Sequence, residues 1–341
     1  MSTVQRVVYR ELGGPEVLKL EPFDLPEPGR GEVQLRILAV GTNRFDALMR
    51  RDHYVVAPVF PSAMGNEAVG VVSAVGADVS HVAPGDRVAV LPVVSPVMGT
   101  GTYATNANMP AHAVAPAIAE LTSAEEAGLW MAALQAWNMM ARHDLPAGTW
   151  VLVTAATSAV GLMALQMARD LGLRAIATTR RKDAETSLFA GGAAAVIVTR
   201  SAGDLAKGVK EITGGAGVGL VIEAVGGDML TECIGATAQG AHIISYGAQS
   251  SPDFKAARVN LPLIALDRRT LTFSELFEVT ENAERFAVAK DYIREAVRRG
   301  ALRPVIDRTF PLTEVQAAHR YLESGSLSGK VVLCATEEAP C

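Results

Sequence analysis

The sequence predicts an α/β protein in which an antiparallel, barrel-like part is joined to a doubly wound parallel sheet, and three patterns carry that reading. Short alternating strands broken by Gly and Pro run through the first hundred residues. From about Glu125 onward, short apolar runs alternate with helix-length stretches, as the strands and crossover helices of a parallel sheet do. The last strand-like runs, Val305 to Phe310 and Lys330 to Leu333, have too little local company to form a sheet alone, so the tail is expected to return to the first part.

In the first part the strands are Val4 to Tyr9, Glu32 to Val40, Ala68 to Val75 and Asp86 to Leu91. Gly14-Pro15, Pro26-Glu-Pro-Gly29 and Val82-Ala-Pro-Gly85 punctuate them with turns, because Pro presets φ and Gly tolerates positive φ. The segment Pro92 to Thr102 is uncharged and rich in Pro, Gly and Ser, which predicts a loop at a cleft rim and suggests an apolar substrate. Thr122 or Ser123 can cap the next helix, whose first turn carries Glu125 and Glu126 at the positive end of the dipole.

The chain is organised around the stretch Trp150 to Lys182. Trp150-Val-Leu-Val-Thr-Ala155 is apolar on both faces, as a central parallel strand must be. After a small-residue turn ending at Gly161, Leu162, Ala164, Leu165, Ala168 and Leu171 recur at helical spacing, and Gly172 leads into the strand Arg174 to Thr179. Such a turn lets the backbone come close to a pyrophosphate, whose charge is met by free N–H groups and the helix dipole. Ala155, Ser158, Ala159, Val160 and Gly161 are the candidate cradle, Gly161 alone surviving of the usual glycines. At the tip of the second strand stand Thr179, Arg180, Arg181 and Lys182 instead of Asp or Glu, which suits a 2′-phosphate and predicts NADPH over NADH. The alternative is a solvated basic loop. Further strands are expected at Ala194 to Val198, Gly219 to Glu223 and Ala241 to Ser245, and Tyr246 and Gly247 then fall at the ligand-binding edge, their backbone facing the cofactor. Thr270 to Ser274 has no comparable crossover after it and is placed at the outer edge of the sheet.

Composition narrows the function. At 341 residues, with 49% hydrophobic and 20% charged residues, the chain reads as two packed domains. A net charge of -5 argues against a nucleic-acid partner, which requires a basic surface. No apolar run is long enough to span a bilayer and no signal core precedes the first strand, so no membrane partner and a cytoplasmic location are expected. Three scattered cysteines, with no CxxC pair, predict neither a disulfide nor a cysteine-rich metal lobe.

Five motifs then occur in one order: Gly41-Thr-Asn43-Arg-Phe-Asp46 with Arg50, Arg51 and Tyr54; Gly65-Asn-Glu67-Ala-Val-Gly70; Val82-Ala-Pro-Gly85-Asp-Arg-Val88; the turn ending Val160-Gly161; and Gly329-Lys-Val-Val-Leu333. Together they resemble the zinc-independent quinone oxidoreductase branch of the medium-chain dehydrogenase/reductase superfamily, which also holds enoyl reductases. The resemblance covers nearly the whole chain. It implies a GroES-like β-barrel catalytic domain (1–124, returning over 281–341), an inserted Rossmann NADP(H)-binding domain (125–280), and a cleft for the nicotinamide. Zinc-dependent relatives place cysteine, histidine and cysteine where this chain has Asn43, Asn66 and Met131, so no catalytic metal is expected.

By the same resemblance Asn43 and Tyr54 are the catalytic candidates, Asn43 for the carboxamide or the substrate oxygen and Tyr54 as hydrogen-bond donor or proton source. A turn-forming Asn and an aromatic lid are the structural alternatives. His53 reads as a loop histidine. Lys330 is expected either at the cofactor phosphates or cleft, or as a surface lysine. Asp46 and Glu67 are left out of the catalytic set, because a carboxylate in apolar surroundings usually holds an arginine or backbone amides, and Arg50 lies one helical turn from Asp46. The expected activity is NADPH-dependent hydride transfer to quinones or other conjugated carbonyls. The alternatives are an enoyl-thioester reductase and an NADPH-binding protein of low turnover. The outer strand near Thr270 predicts a homodimer joined edge to edge.

Overall fold

The computed structural model describes residues 4–54, 56–93, 101–141, 143–200, 203–247, 250, 264–265 and 267–335. Most of the expected loop Pro92 to Thr102 lies outside them. The chain divides into two compact units, Met1–Met131 with Pro304–Cys341, and Ala132–Arg303.

The first unit is built from β1 (Gln5–Tyr9), β2 (Lys19–Pro22), β3 (Glu32–Gly41), β4 (Ser62–Ala63), β5 (Ala68–Val75), β6 (Arg87–Val90), β7 (Asn106–Pro110) and β8 (Val114–Pro116). Along β3 the side chains alternate, Val33, Leu35 and Ile37 turned into a core with Val88, Val90, Met109 and Leu333 while Gln34 and Arg36 point away. A three-stranded sheet has the order β2-β1-β4, and the tail contributes two strands of a seven-stranded sheet. Those of the tail lie at Ile306–Pro311 and Lys330–Cys334, and the second pairs antiparallel with β3 through Val332, Leu333 and Cys334. The two tail strands run parallel to each other, with the helix Val315–Glu323 between them in sequence, so this sheet is mixed rather than purely antiparallel.

Among the described residues the second unit has the strands β9 (Trp150–Val153), β10 (Arg174–Thr179), β11 (Ala195–Val198), β12 (Val218–Glu223), β13 (Thr237–Ser245) and β14 (Thr270–Phe273). They form one parallel sheet in the order β11-β10-β9-β12-β13-β14. Leu152, Ile176, Val221 and Ile243 form its buried centre. The chain reverses its direction of winding between β9 and β12, and in such sheets that switch point is where ligands bind. Strand β14 stands at the outer edge, as expected.

The unit boundaries fall later than 124 and 280. Helix Ser123–Ala127 belongs to the first unit because Ala124 and Ala127 pack with Ala39, Val69 and Val332. Helix Ala283–Arg298 belongs to the second, where Tyr292 donates to Asp170 at 2.6 Å. Thr122 is the cap of the first of these helices, its hydroxyl accepting from the Glu125 N–H while Glu125 accepts from the Thr122 N–H. Cys334 is disulfide-bonded, contrary to the expectation from cysteine spacing, because spacing along the sequence does not measure separation in space. Cys233 is buried and free. No helix among the described residues is long and apolar enough to cross a membrane.

Candidate active site

In the second unit the turn after β9 has the predicted shape. Ala155 adopts φ 46°, a left-handed conformation that costs an L-residue about 1–2 kcal/mol and that a glycine would relieve. Ser158 caps the helix Ala159–Asp170, its hydroxyl accepting from the Gly161 N–H at 3.0 Å. Among the described residues the N–H groups of Ala159 and Val160 are left without an acceptor, as first-turn donors are, and they open an anion-binding end. Gly161 is required by space: a β-carbon there would lie 2.7 Å from the Ala155 oxygen and 2.8 Å from the Ala156 oxygen.

Past β10, Thr179 is buried and its hydroxyl accepts from the Arg181 N–H at 3.0 Å. Arg180 and Lys182 are exposed. Arg181 forms an ion pair with Asp183 at 2.9 Å, so one of the three cations already has an acidic partner two residues on. At the end of the last inner strands, Tyr246 donates its N–H to the Glu223 carbonyl, and Gly247 packs so closely that a β-carbon would lie 2.8 Å from the Ala224 oxygen.

Glu223, which the sequence reading passed over, closes this edge. Its carboxylate is fully buried and accepts from the N–H groups of Val225 and Gly226 and from the Ser245 hydroxyl at 3.2 Å. Burial raises its pKa, and these bonds partly offset the rise. It thereby holds the turn after β12 against β13. The available signal was a strand that is apolar until its last residue, Gly219-Leu-Val-Ile-Glu223, followed closely by Gly226-Gly227.

In the first unit Asn43 stands at the N-cap position of the helix Arg44–Arg50, with its side chain turned away from the helix's free N–H groups. Its carboxamide is gripped at both ends: Nδ2 donates to Glu67 Oε1 at 2.9 Å, and Oδ1 accepts from Lys330 Nζ at 2.8 Å. Lys330 also pairs with Glu67 at 2.5 Å, and the second Glu67 oxygen accepts from the Met131 N–H at 2.9 Å. Gly41 makes room for this carboxylate, because a β-carbon there would lie 2.8 Å from Glu67 Oε1 and 2.0 Å from the Ala127 oxygen. Lys330 is 3% exposed, so the expectation of a surface lysine is corrected. An ammonium this deeply withdrawn from water needs a buried counter-charge, and Glu67 is that group.

Asp46 does not pair with Arg50. It accepts from the Asn43 N–H at 2.8 Å and from the Tyr103 hydroxyl at 3.1 Å, and His319 Nε2 stands 3.3 Å from the same hydroxyl. Arg50 pairs with Glu323 on the helix Val315–Glu323, a partner far away in sequence. Burial pushes Asp46 up to about 7 and His319 down to about 3. Tyr54 is half-buried, its ring 5.9 Å from that of Phe45.

A family described as "Alcohol dehydrogenase GroES-like domain" matches residues 29–119, and one described as "Zinc-binding dehydrogenase" matches residues 191–333. The quinone oxidoreductase of Lama guanicoe is 30% identical over 340 residues, 98% of this chain and 99% of that one. The chain belongs to the quinone oxidoreductase branch of the medium-chain dehydrogenase/reductase superfamily. The 2-haloacrylate reductase of a Burkholderia species is 30% identical over 337 residues, covering 97% of this chain and 98% of its own length. The quinone oxidoreductase of Escherichia coli, solved in complex with NADPH, superposes with a TM-score of 0.87 at 27% identity, covering 97% of this chain and 99% of that one.

Zinc, which the second family description implies, does not fit the residues of this quinone oxidoreductase-branch chain. The ligand positions hold two amides and a thioether, and one amide oxygen, that of Asn43, already faces an ammonium that would repel a cation. The Asn66 oxygen is buried without a partner, one weak donor rather than a ligand set. Among the described residues no group of three or more His, Cys, Asp and Glu is placed to hold a metal ion.

Proposed function

We propose that the protein is a zinc-independent, NADPH-dependent oxidoreductase that transfers hydride to quinones or other conjugated carbonyls. The observation that carries the reading is the turn of the second unit, an anion-binding helix start at the switch point of the parallel sheet, followed by cations where an acid would mark NADH. The relatives named as quinone oxidoreductases and the Escherichia coli complex with NADPH support it. The Burkholderia relative, named for a haloacrylate, supports extending the substrate class to electron-poor alkenes that carry a carbonyl.

Ala155, Ser158, Ala159, Val160 and Gly161 would hold the pyrophosphate, Thr179, Arg180, Arg181 and Lys182 the 2′-phosphate side, and Tyr246 and Gly247 the edge beside them. NADPH supplies the hydride. The substrate oxygen gains negative charge as hydride arrives, and in the absence of a metal a fixed donor must meet that charge. Asn43 has one amide hydrogen left after the bond to Glu67, and the phenol of Tyr54 is a second donor. A homodimer is part of the same proposal: β14 is an edge strand whose Phe273 is 67% exposed, and pairing two such edges about a two-fold axis would cover it.

NADPH oxidation measured with a quinone, an enone and a crotonyl thioester, each before and after chelator treatment, tests the reading. Turnover with the quinone or the enone, unchanged by chelator, is expected. Turnover with the thioester alone would make the protein an enoyl-thioester reductase. Tight NADPH binding with no turnover would make it a binding protein. Activity lost with a stoichiometric metal would overturn the metal-free mechanism.

A further inference from the structure

We propose that Lys330 and Glu67 are positioning residues that orient the Asn43 carboxamide, so that a donor and not an acceptor faces the reacting substrate oxygen. The inference rests on the reading of Asn43 as the group that meets that oxygen. A carboxamide has two nearly isosteric ends, and on an uncharged surface it can turn over with little cost. Here each end meets a charge. Oδ1 faces the Lys330 ammonium at 2.8 Å, and Nδ2 faces the Glu67 carboxylate at 2.9 Å. Rotation by half a turn would set N–H against ammonium and C=O against carboxylate, breaking two charge-assisted bonds and creating two repulsions. The buried pair therefore encodes the amide's direction.

The clamp is itself held in place. The Met131 N–H fixes the second oxygen of Glu67, and the Lys330 N–H donates to the Val305 carbonyl, which ties the start of its strand. The Asn43 N–H bonds Asp46 at 2.8 Å, which fixes the backbone from which the carboxamide projects. Glu67 is 0% and Lys330 3% exposed. Stability alone does not account for such a pair, since replacing a buried ion pair by apolar groups of similar volume is often neutral or stabilising. Orientation of a polar group that an apolar pair could not orient does account for it.

The test is steady-state quinone reduction by NADPH, with NADPH affinity read separately by fluorescence, in wild type, N43A, K330M, E67Q and N43A/K330M. K330M and E67Q should lower kcat by about ten- to a hundredfold, the scale of a slightly misplaced reacting group, while leaving NADPH affinity unchanged. N43A/K330M should be no slower than N43A, because Lys330 acts through Asn43. Wild-type kcat in folded K330M overturns the proposal. So do multiplicative losses in the double variant, or a loss confined to NADPH affinity, which would return Lys330 to the phosphates. Wild-type kcat in N43A removes the underlying role of Asn43, a failure distinct from that of the clamp. If K330M does not fold, E67Q/K330M removes both charges together, and wild-type kcat in that variant overturns the proposal equally.

Discussion

The carbonyl oxygen of Ala155 lies 2.7 Å from the position a β-carbon on residue 161 would take, so the strained turn and the first helical turn meet in a space that glycine leaves open. Gly161→Ala should force turn and helix apart, at about 1–3 kcal/mol for overpacking. Thermal unfolding and an NADPH titration should show a lower Tm and weaker binding together. If both stayed at wild-type values, the close approach would have no consequence.

Arg180, Arg181 and Lys182 should set the preference for NADPH. Replacing all three by Ala should weaken NADPH binding at least ten- to a hundredfold, since each charge-assisted bond to phosphate contributes about 1.5–3 kcal/mol, and should leave NADH binding nearly unchanged. Arg181 already shares its charge with Asp183, so the exposed Arg180 and Lys182 should account for more of the loss. Equal affinity of the wild type for the two coenzymes would sink this assignment.

Asp46 and His319 should pull stability in opposite directions with pH. The Asp46 carboxyl titrates at about 7 when folded against an ordinary 3.8, so its contribution is fully present below 3.8 and is lost as pH rises toward 7. His319 falls to about 3 from 6.5, so its contribution is present above 6.5 and is lost as pH drops toward 3. Asp46→Asn removes the first effect and leaves the second. Its stability relative to wild type should therefore climb between pH 4 and 7 by an amount on the order of 4 kcal/mol, read by urea unfolding at each pH. A difference that stays flat over this range would show that Asp46 ionises normally in the fold.

Phe273→Pro should turn a dimer into a monomer: the Ser274 N–H donates to the Ser245 carbonyl of the inner neighbour, so in the alternating strand the Phe273 N–H faces the outer edge, where proline removes a donor and its ring obstructs pairing. Light scattering at micromolar concentration reads the outcome. A wild type that is already monomeric there would reject the edge-to-edge dimer, and a variant that stays dimeric would place the interface elsewhere.

What the residue order made legible was local or periodic. Trp150 to Thr179 showed a strand, turn, helix and strand because each element's period is written in a few adjacent residues, and Thr122 with Glu125 showed a cap for the same reason. The outer place of Thr270 to Phe273 followed from the lack of a further crossover. The parallel pairing of the two tail strands and the later unit boundaries did not show, since both depend on which distant segments bury each other's apolar faces.

The sequence by itself determined the two architectures, the small-residue turn after β9 with the basic tip past β10, and the amides at Asn43 and Asn66. Tertiary structure alone decided how the charges were matched. Asp46 and Arg50 stand one helical turn apart, yet Asp46 met Tyr103 and Arg50 met Glu323, while Lys330 came from the end of the chain to join Glu67 and Asn43. A buried charge takes the partner that the packing of distant strands and helices brings within about 3 Å and that best offsets its lost hydration, and separation along the chain has no say in that choice.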